Sequence, residues 1–231
     1  MANKAALKVA GVAMVLRPLG ALLGSPDIGK VSVLSQEPGA LESILSDDPR
    51  VELRQSRDTI AATIAELITT QALDYPVLVT TADHALLDKE MIAEFIAKAN
   101  GADLAIGVVA QEVMIRRFPS SERTWIGFKG GRYSGANLFA FGSDKIAPAI
   151  EIWRGVEQDR KKGWRLLAAL GPALLLGALF KLRTLDQSVA AVGRKLGLSI
   201  RAVQLSDPRA AIDVDKPADL ELVEAILAGR A

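Results

Sequence analysis

The amino-acid sequence predicts an α/β fold: a mostly parallel sheet flanked by helices. Three observations lead there. Short runs that are apolar through their centres, such as Tyr75–Thr81, read as strands buried on both faces, as in a parallel sheet covered by helices. Segments with apolar residues at helical spacing alternate with those runs, which is the α/β pattern. The chain has 231 residues, 50% of them hydrophobic, and therefore enough material for a sizeable core, so 1–231 is read as a single domain.

The elements follow in order. Ala13–Leu23 carries Met14, Val15, Leu16, Leu19, Leu22 and Leu23 at helical spacing. Lys30–Ser35 reads as a strand bounded by Gly29 and by Pro38-Gly39. Thr59–Ala72 is a helix with Ile60, Ile64, Leu67 and Ile68 on its apolar face, and Tyr75–Thr81 is the second strand. Asp88–Asn100 is a helix with Met91, Ile92, Phe95 and Ile96, ended by Gly101. Ala102–Ala110 and Ser199–Leu205 are further strands, and Asp186–Leu196 and Ala218–Leu227 further helices. Trp125–Phe128 and Arg132–Phe141, on either side of Gly130-Gly131, read as a β-hairpin. It is either an antiparallel excursion that carries acceptor specificity or a plain edge hairpin.

Composition removes whole classes of chemistry. Lys and Arg total 28 and Asp and Glu 27, for a net charge of +1, so nothing marks a nucleic-acid partner. The chain has no cysteine and a single histidine, His84. Disulfides, thiolate and multi-histidine metal sites, cysteine nucleophiles and iron–sulfur clusters are excluded. What remains is carboxylates, Lys, Arg, hydroxyls and a hard cation held by oxygen.

Two apolar stretches, a short one and a longer one, bear on location. Lys4 and Lys8 stand at Val9–Leu16, but Arg17-Pro18 interrupt the run and no small-residue cleavage site follows, so a cytoplasmic location is expected. A helical insertion is expected at about 145–185. Its charge-free run between Arg165 and Lys181 is shorter than the roughly 20 residues a membrane span needs. Arg160, Lys161, Lys162, Arg165, Lys181 and Arg183 flank that run, with Trp153 and Trp164 close by. Peripheral membrane contact through 160–183 is one reading. A buried helical hairpin or a contact between copies is the other.

Three places can carry chemistry. Thr81-Ala82-Asp83-His84 ends an apolar strand, where ligands of α/β folds bind. There Asp83 is a candidate Mg2+ ligand or a cap for the following helix. His84 reads as a structural hydrogen-bonding residue. In Asp213-Val214-Asp215-Lys216-Pro217-Ala218-Asp219, alternation puts Asp213 and Asp215 on one side. Pro217 suits a first helical turn, so Asp215 and Asp219 read as capping residues and Asp213 as the better ligand candidate. Lys4, with Lys8 and Arg17 nearby, is a point charge suited to phosphate.

Together these pieces resemble the MobA-like NTP transferases, nucleotidyltransferases similar to the molybdenum-cofactor guanylyltransferases. Lys4 to Met14 resembles the family's K-x-L-x-x-V-x-G-x-P-M segment, with Ala13 at the proline. Ala82 to Leu87 resembles x-D-x-P-L-L, with Ala85 at the proline. Ser134 to Phe139 resembles the G-x-N acceptor loop. Asp213 to Leu220 is similar to D-[IV]-D-T-P-E-D-L, the most specific piece. The similarity spans nearly the whole chain.

The resemblance implies a Rossmann-like, GT-A-type fold and transfer of a nucleotide from an NTP, with CTP as the guess, to a phosphorylated small molecule. By the same resemblance Asp83 and Asp213 hold Mg2+, and Lys4 contacts nucleotide phosphate. Gln55-Ser56-Arg57-Asp58-Thr59 is the base-reading loop, with Ser56 and Thr59 as nucleotide contacts, and Gly135 and Asn137 face the acceptor. The apolar insertion points to lipid or envelope precursors. The family begins with a strand and a glycine-rich, Arg-containing loop ahead of the matched lysine, whereas Met1, Ala2 and Asn3 alone precede Lys4 here. Two expectations follow: a start further upstream, or a catalytically inactive nucleotide-binding or membrane-associated partner protein. A GT-A glycosyltransferase is the third reading, resting on Asp213-Val-Asp215 as its Asp-x-Asp motif.

Overall fold

The computed structural model describes residues 4–45, 47–119, 123–158 and 181–231. In chain order its strands are β1 (Lys8–Val9), β2 (Val12–Ala13), β3 (Val31–Ser35), β4 (Val51–Gln55), β5 (Val77–Thr80), β6 (Leu104–Ala110), β7 (Ile126–Phe128), β8 (Gly131–Phe141) and β9 (Ile200–Gln204). Its helices are α1 (Leu16–Leu23), α2 (Ile60–Thr69), α3 (Lys89–Ala99), α4 (Gln111–Arg117), α5 (Ala147–Gln158), α6 (Leu185–Leu196) and α7 (Pro217–Leu227).

A five-stranded sheet in the order β5-β8-β6-β9, with β7 added on β8, forms the centre. β5, β6 and β9 run in one direction and β8 runs against its neighbours. The α/β class expected from sequence is the one observed. β3 and β4 form a separate parallel pair, Val31 opposite Val51, that shares no ladder with this sheet.

The apolar strand centres are explained by burial on both faces. Leu104, Ile106, Phe139 and Phe141 pack under Ile64 of α2 and Ile150 of α5, and the Phe139 and Trp153 rings lie 5.1 Å apart. On the other face, Ala105, Val109, Ala136 and Leu138 pack against Phe95 of α3, Met114 of α4 and Val223 of α7. α3 follows its pattern closely: Asp88 caps it by accepting the Met91 N–H at 2.9 Å, and Gly101 leaves it at φ +79°.

Four sequence expectations change. The hairpin is no excursion: β7 is a short edge, but β8 lies between β5 and β6 in the middle of the sheet. α1 begins at Leu16, because Ala10 and Gly11 turn the chain at φ +46° and +79° and pair Val12–Ala13 with Lys8–Val9. β4 is not expected from sequence, since Glu52 and Arg54 break its apolar pattern. Nor is α4, which begins directly after the third predicted strand, in the connection beyond it. Of the predicted insertion, α5 and the start of α6 are described. The apolar run, and with it most of the 160–183 segment read as a membrane contact, lies outside the described residues. Among the described residues no helix is long and apolar enough to cross a membrane.

Close approach of backbone demands glycine at Gly142 and at Gly193, where a Cβ would lie 2.5 Å from the Leu198 backbone oxygen. A Cβ on Gly142, at the end of β8, would lie 2.3 Å from the backbone oxygen of Ala102. Neither backbone can yield without disturbing the bond from Gly142 N–H to the Asp103 carbonyl at 2.8 Å. Gly142→Ala is therefore expected to destabilise the fold by about 2 kcal/mol or more. A denaturant midpoint unchanged from the parent chain would contradict this packing.

Candidate functional site

The side chains expected to carry chemistry meet at the carboxyl end of β5. Past Thr80 the chain turns, the His84 N–H donating to the Thr81 carbonyl at 3.2 Å, and Asp83 projects from that turn. The Thr81 hydroxyl donates to Asp83 Oδ1 at 2.5 Å and fixes the carboxylate. Asp83 is not the cap of α3, a role Asp88 fills. The Val214 N–H donates to the Asp83 carbonyl at 3.1 Å and stitches the Asp213–Asp215 segment to this turn.

Lys4 reaches the same place from a short 3-10 helix, Lys4–Ala6. Its Nζ donates to Asp83 Oδ2 at 2.8 Å and to Asp215 Oδ1 at 2.7 Å. Burial would lower the Lys4 pKa, but the bonds to Asp215 and Asp83 outweigh it and raise it. The Lys4 bond holds Asp215 below the usual carboxylate range against the opposing effect of burial. Asp215 is thus a member of the cluster and not the capping residue expected from sequence. Asp219 does cap: its Oδ2 accepts the N–H groups of Asp215 at 3.1 Å and Lys216 at 2.9 Å, at the start of α7.

Asp213 lies on the other side of the cluster. Arg123 pairs with its Oδ1, and Asn137 Nδ2 donates to its Oδ2 at 3.3 Å. Burial raises the Asp213 pKa; Arg123 opposes this, and the charges of Asp215 and Asp83 reinforce it. Asn137 gets there through an irregularity in β8. The register against β6 shifts between Ile106 and Val108, and Asn137 adopts φ +47°, a conformation that asparagine tolerates better than most residues. Such irregularities re-aim a side chain. Gly135, two residues earlier and opposite Val108, is exposed with open space above it.

Lys4, Asp83, Asp213 and Asn137, four residues singled out by sequence, are therefore brought together. Ser56 and Thr59 lie in the β4–α2 connection and serve it locally. The Ser56 N–H donates to the Ser35 carbonyl at 2.8 Å, and the Thr59 hydroxyl accepts the Ala62 N–H at 3.1 Å as the α2 cap. Among the described residues no hydrogen bond links them to the carboxylates. His84 is 1% exposed, with Nδ1 3.4 Å from the Thr80 hydroxyl and Nε2 without a partner among the described residues. Burial lowers its pKa to about 4, opposed by the charges of Asp83 and Asp88, so it is a neutral core residue. Sequence alone does not single out Arg123, which sits in an unpatterned connection 90 residues from Asp213.

The donors fit a hard cation. Mg2+ takes one or two protein carboxylates and completes its shell with water and phosphate. Asp83 and Asp213 offer two carboxylates on loops tied by a backbone hydrogen bond, with the Lys4 ammonium already held between Asp83 and Asp215. No group of three or more His, Asp or Glu side chains forms a complete cage among the described residues.

No protein-family model and no curated protein matches the chain. Solved structures do. A hypothetical transferase from Thermus thermophilus is 26% identical over 94% of this chain and 90% of its own, with a TM-score of 0.77. The 2-C-methyl-D-erythritol 4-phosphate cytidylyltransferase from the same organism is 18% identical over 98% and 94%, with a TM-score of 0.53. A CMP:2-keto-3-deoxy-manno-octonic acid synthetase complexed with CTP is 12% identical over 99% and 92%, with a TM-score of 0.62. The chain thus shares its fold with that cytidylyltransferase and that synthetase.

Proposed function

We propose that the chain is a nucleotidyltransferase that moves the nucleoside monophosphate of an NTP, with CTP the preferred nucleotide, onto a phosphorylated small-molecule acceptor. The observation that carries this reading is the convergence of Lys4, Asp83, Asp213 and Asn137 at the carboxyl end of β5, in a fold shared with cytidylyltransferases. An acceptor phosphate oxygen attacks the α-phosphorus. A new P–O bond forms there, the bond to the bridging oxygen of the β-phosphate breaks, and pyrophosphate leaves.

Such a transfer needs charge neutralisation and in-line positioning, with no covalent nucleophile. Asp83 and Asp213 would hold Mg2+, which when bound neutralises triphosphate charge. The Lys4 side chain is 48% exposed and can carry its ammonium to a phosphate. Ser56 and Thr59 would meet the nucleotide, and Gly135 and Asn137 the acceptor, on the open side of β8.

The test is pyrophosphate release by the purified chain with Mg2+, each of the four NTPs and a panel of sugar and polyol phosphates, with 31P NMR of the product. Turnover with CTP and a new pyrophosphate diester in the product are expected. No pyrophosphate from any pair would overturn the reading.

A further inference from the structure

Arg123 makes contacts that hold the site together from behind. Its side chain is 9% exposed, yet its guanidinium serves two carboxylates. Nη1 pairs with Asp213 Oδ1, while Nη2 donates to Asp219 Oδ1 at 3.1 Å and to the Asp213 carbonyl at 3.3 Å. Among the described residues Nε is buried without a partner, and the hydrogen bonds of the side chain run through its two Nη groups.

The pattern across the cluster is one of pinned oxygens. Thr81 holds Oδ1 of Asp83 and leaves Oδ2 to Lys4. Arg123 holds Oδ1 of Asp213 and leaves Oδ2 toward Asn137. Through Asp219, whose other oxygen accepts the Asp215 and Lys216 N–H groups, the same guanidinium anchors the turn that presents Asp215 to Lys4. Partners behind a ligand set its orientation and tune its affinity. A guanidinium serves two carboxylates and a carbonyl from one rigid plane of donors, whereas an ammonium is a point charge on a flexible stem.

We propose that Arg123 is the positioning residue of this site: it orients Asp213 so that Oδ2 is offered to a divalent cation. Asp213 and Asp219 are 90 and 96 residues away in sequence, so it also ties the residues that lead into β7 to the start of α7. The proposal rests on the nucleotidyltransferase reading.

Mn2+ alone, titrated into the full chain and followed by calorimetry and by loss of the free-ion EPR signal, tests it without turnover. Melting curves establish that each variant folds. Arg123→Gln should bind Mn2+ about 10- to 100-fold more weakly, the range for lost partners behind a ligand. It should lower kcat for pyrophosphate release more than it raises the KM for CTP. Arg123→Lys should recover part of the loss. Asp219→Asn, which keeps a capping oxygen but removes one charge from Arg123, should move affinity in the same direction as Arg123→Gln by a smaller factor. These last two variants decide the matter if Arg123→Gln does not fold.

Parent-like Mn2+ affinity in the folded variants, beside loss in Asp213→Asn, overturns the role of Arg123 and leaves the nucleotidyltransferase reading standing. Tighter binding by Arg123→Gln would make the guanidinium a competitor for Asp213 and also overturns it. No Mn2+ binding by the parent chain removes the metal assignment, and the Arg123 proposal with it.

Discussion

Asp83→Asn is expected to lower pyrophosphate release by about 10³-fold, the scale of losing one charged contact to a transition state. Asparagine keeps the size of the side chain and an oxygen for the Thr81 hydroxyl, which now sits 2.5 Å from Asp83 Oδ1. What it removes is the charge that faces the Lys4 ammonium at 2.8 Å. Lys4 then keeps Asp215 as its anionic partner at 2.7 Å, and the proposed cation loses one of its two carboxylates. The fold should tolerate the change. The Lys4 side chain is 48% exposed and its ion pair with Asp83 is screened by water, so the melting temperature should move by only a few degrees. Activity within threefold of the parent, in a protein shown to turn over CTP, would remove Asp83 from the chemistry.

His84 should make the fold acid-sensitive. Its ordinary pKa is 6.5, and burial lowers it to about 4 against the pull of Asp83 and Asp88. Between those values the unfolded chain binds a proton that the folded chain excludes. Stability therefore falls as pH falls from 6.5 towards 4, by about 3 kcal/mol in all, and His84 adds no pH dependence above 6.5. Leucine fills a similar volume and does not titrate. It also removes the buried Nε2, which has no partner among the described residues, so His84→Leu should cost little at pH 7.5. Urea unfolding at pH 4.5 and 7.5 checks this. The stability lost on acidification should be smaller in His84→Leu by about 2 to 3 kcal/mol, the remainder belonging to carboxylates common to both chains. Equal losses would show that the histidine is not buried neutral.

Local chemistry explains what is legible in the sequence. α3 has a cap in Asp88, an apolar face in Met91, Ile92 and Phe95, and a stop in Gly101, all within one short stretch. β6 is apolar because both faces are covered, and β5, half-buried with Leu78 toward one cluster and Val77 and Val79 toward the other, carries a similar signature. β4 is less covered: Glu52 and Gln55 are exposed, so its sequence carries little signal. The α1 boundary differs from its sequence pattern because the Val9–Val12 turn depends on left-handed backbone at Ala10, which no residue type there announces.

For the site, the chain by itself determined the chemical inventory and two of its acidic anchors. It has no cysteine and one histidine, and Asp83 and Asp213 stand in segments whose patterns set them at a strand end and before a helix. Only the tertiary structure decided the pairing. Asp215 has the sequence context of a cap, yet Lys4, 211 residues away, lies on it, and Arg123 has no pattern to mark it at all. Hydrophobic periodicity and capping are local, repeated along a segment, and so written in neighbouring residues. A contact between charges from distant segments needs one suitable residue at each end and leaves no periodic trace, so it exists only once the sheet has brought those segments together.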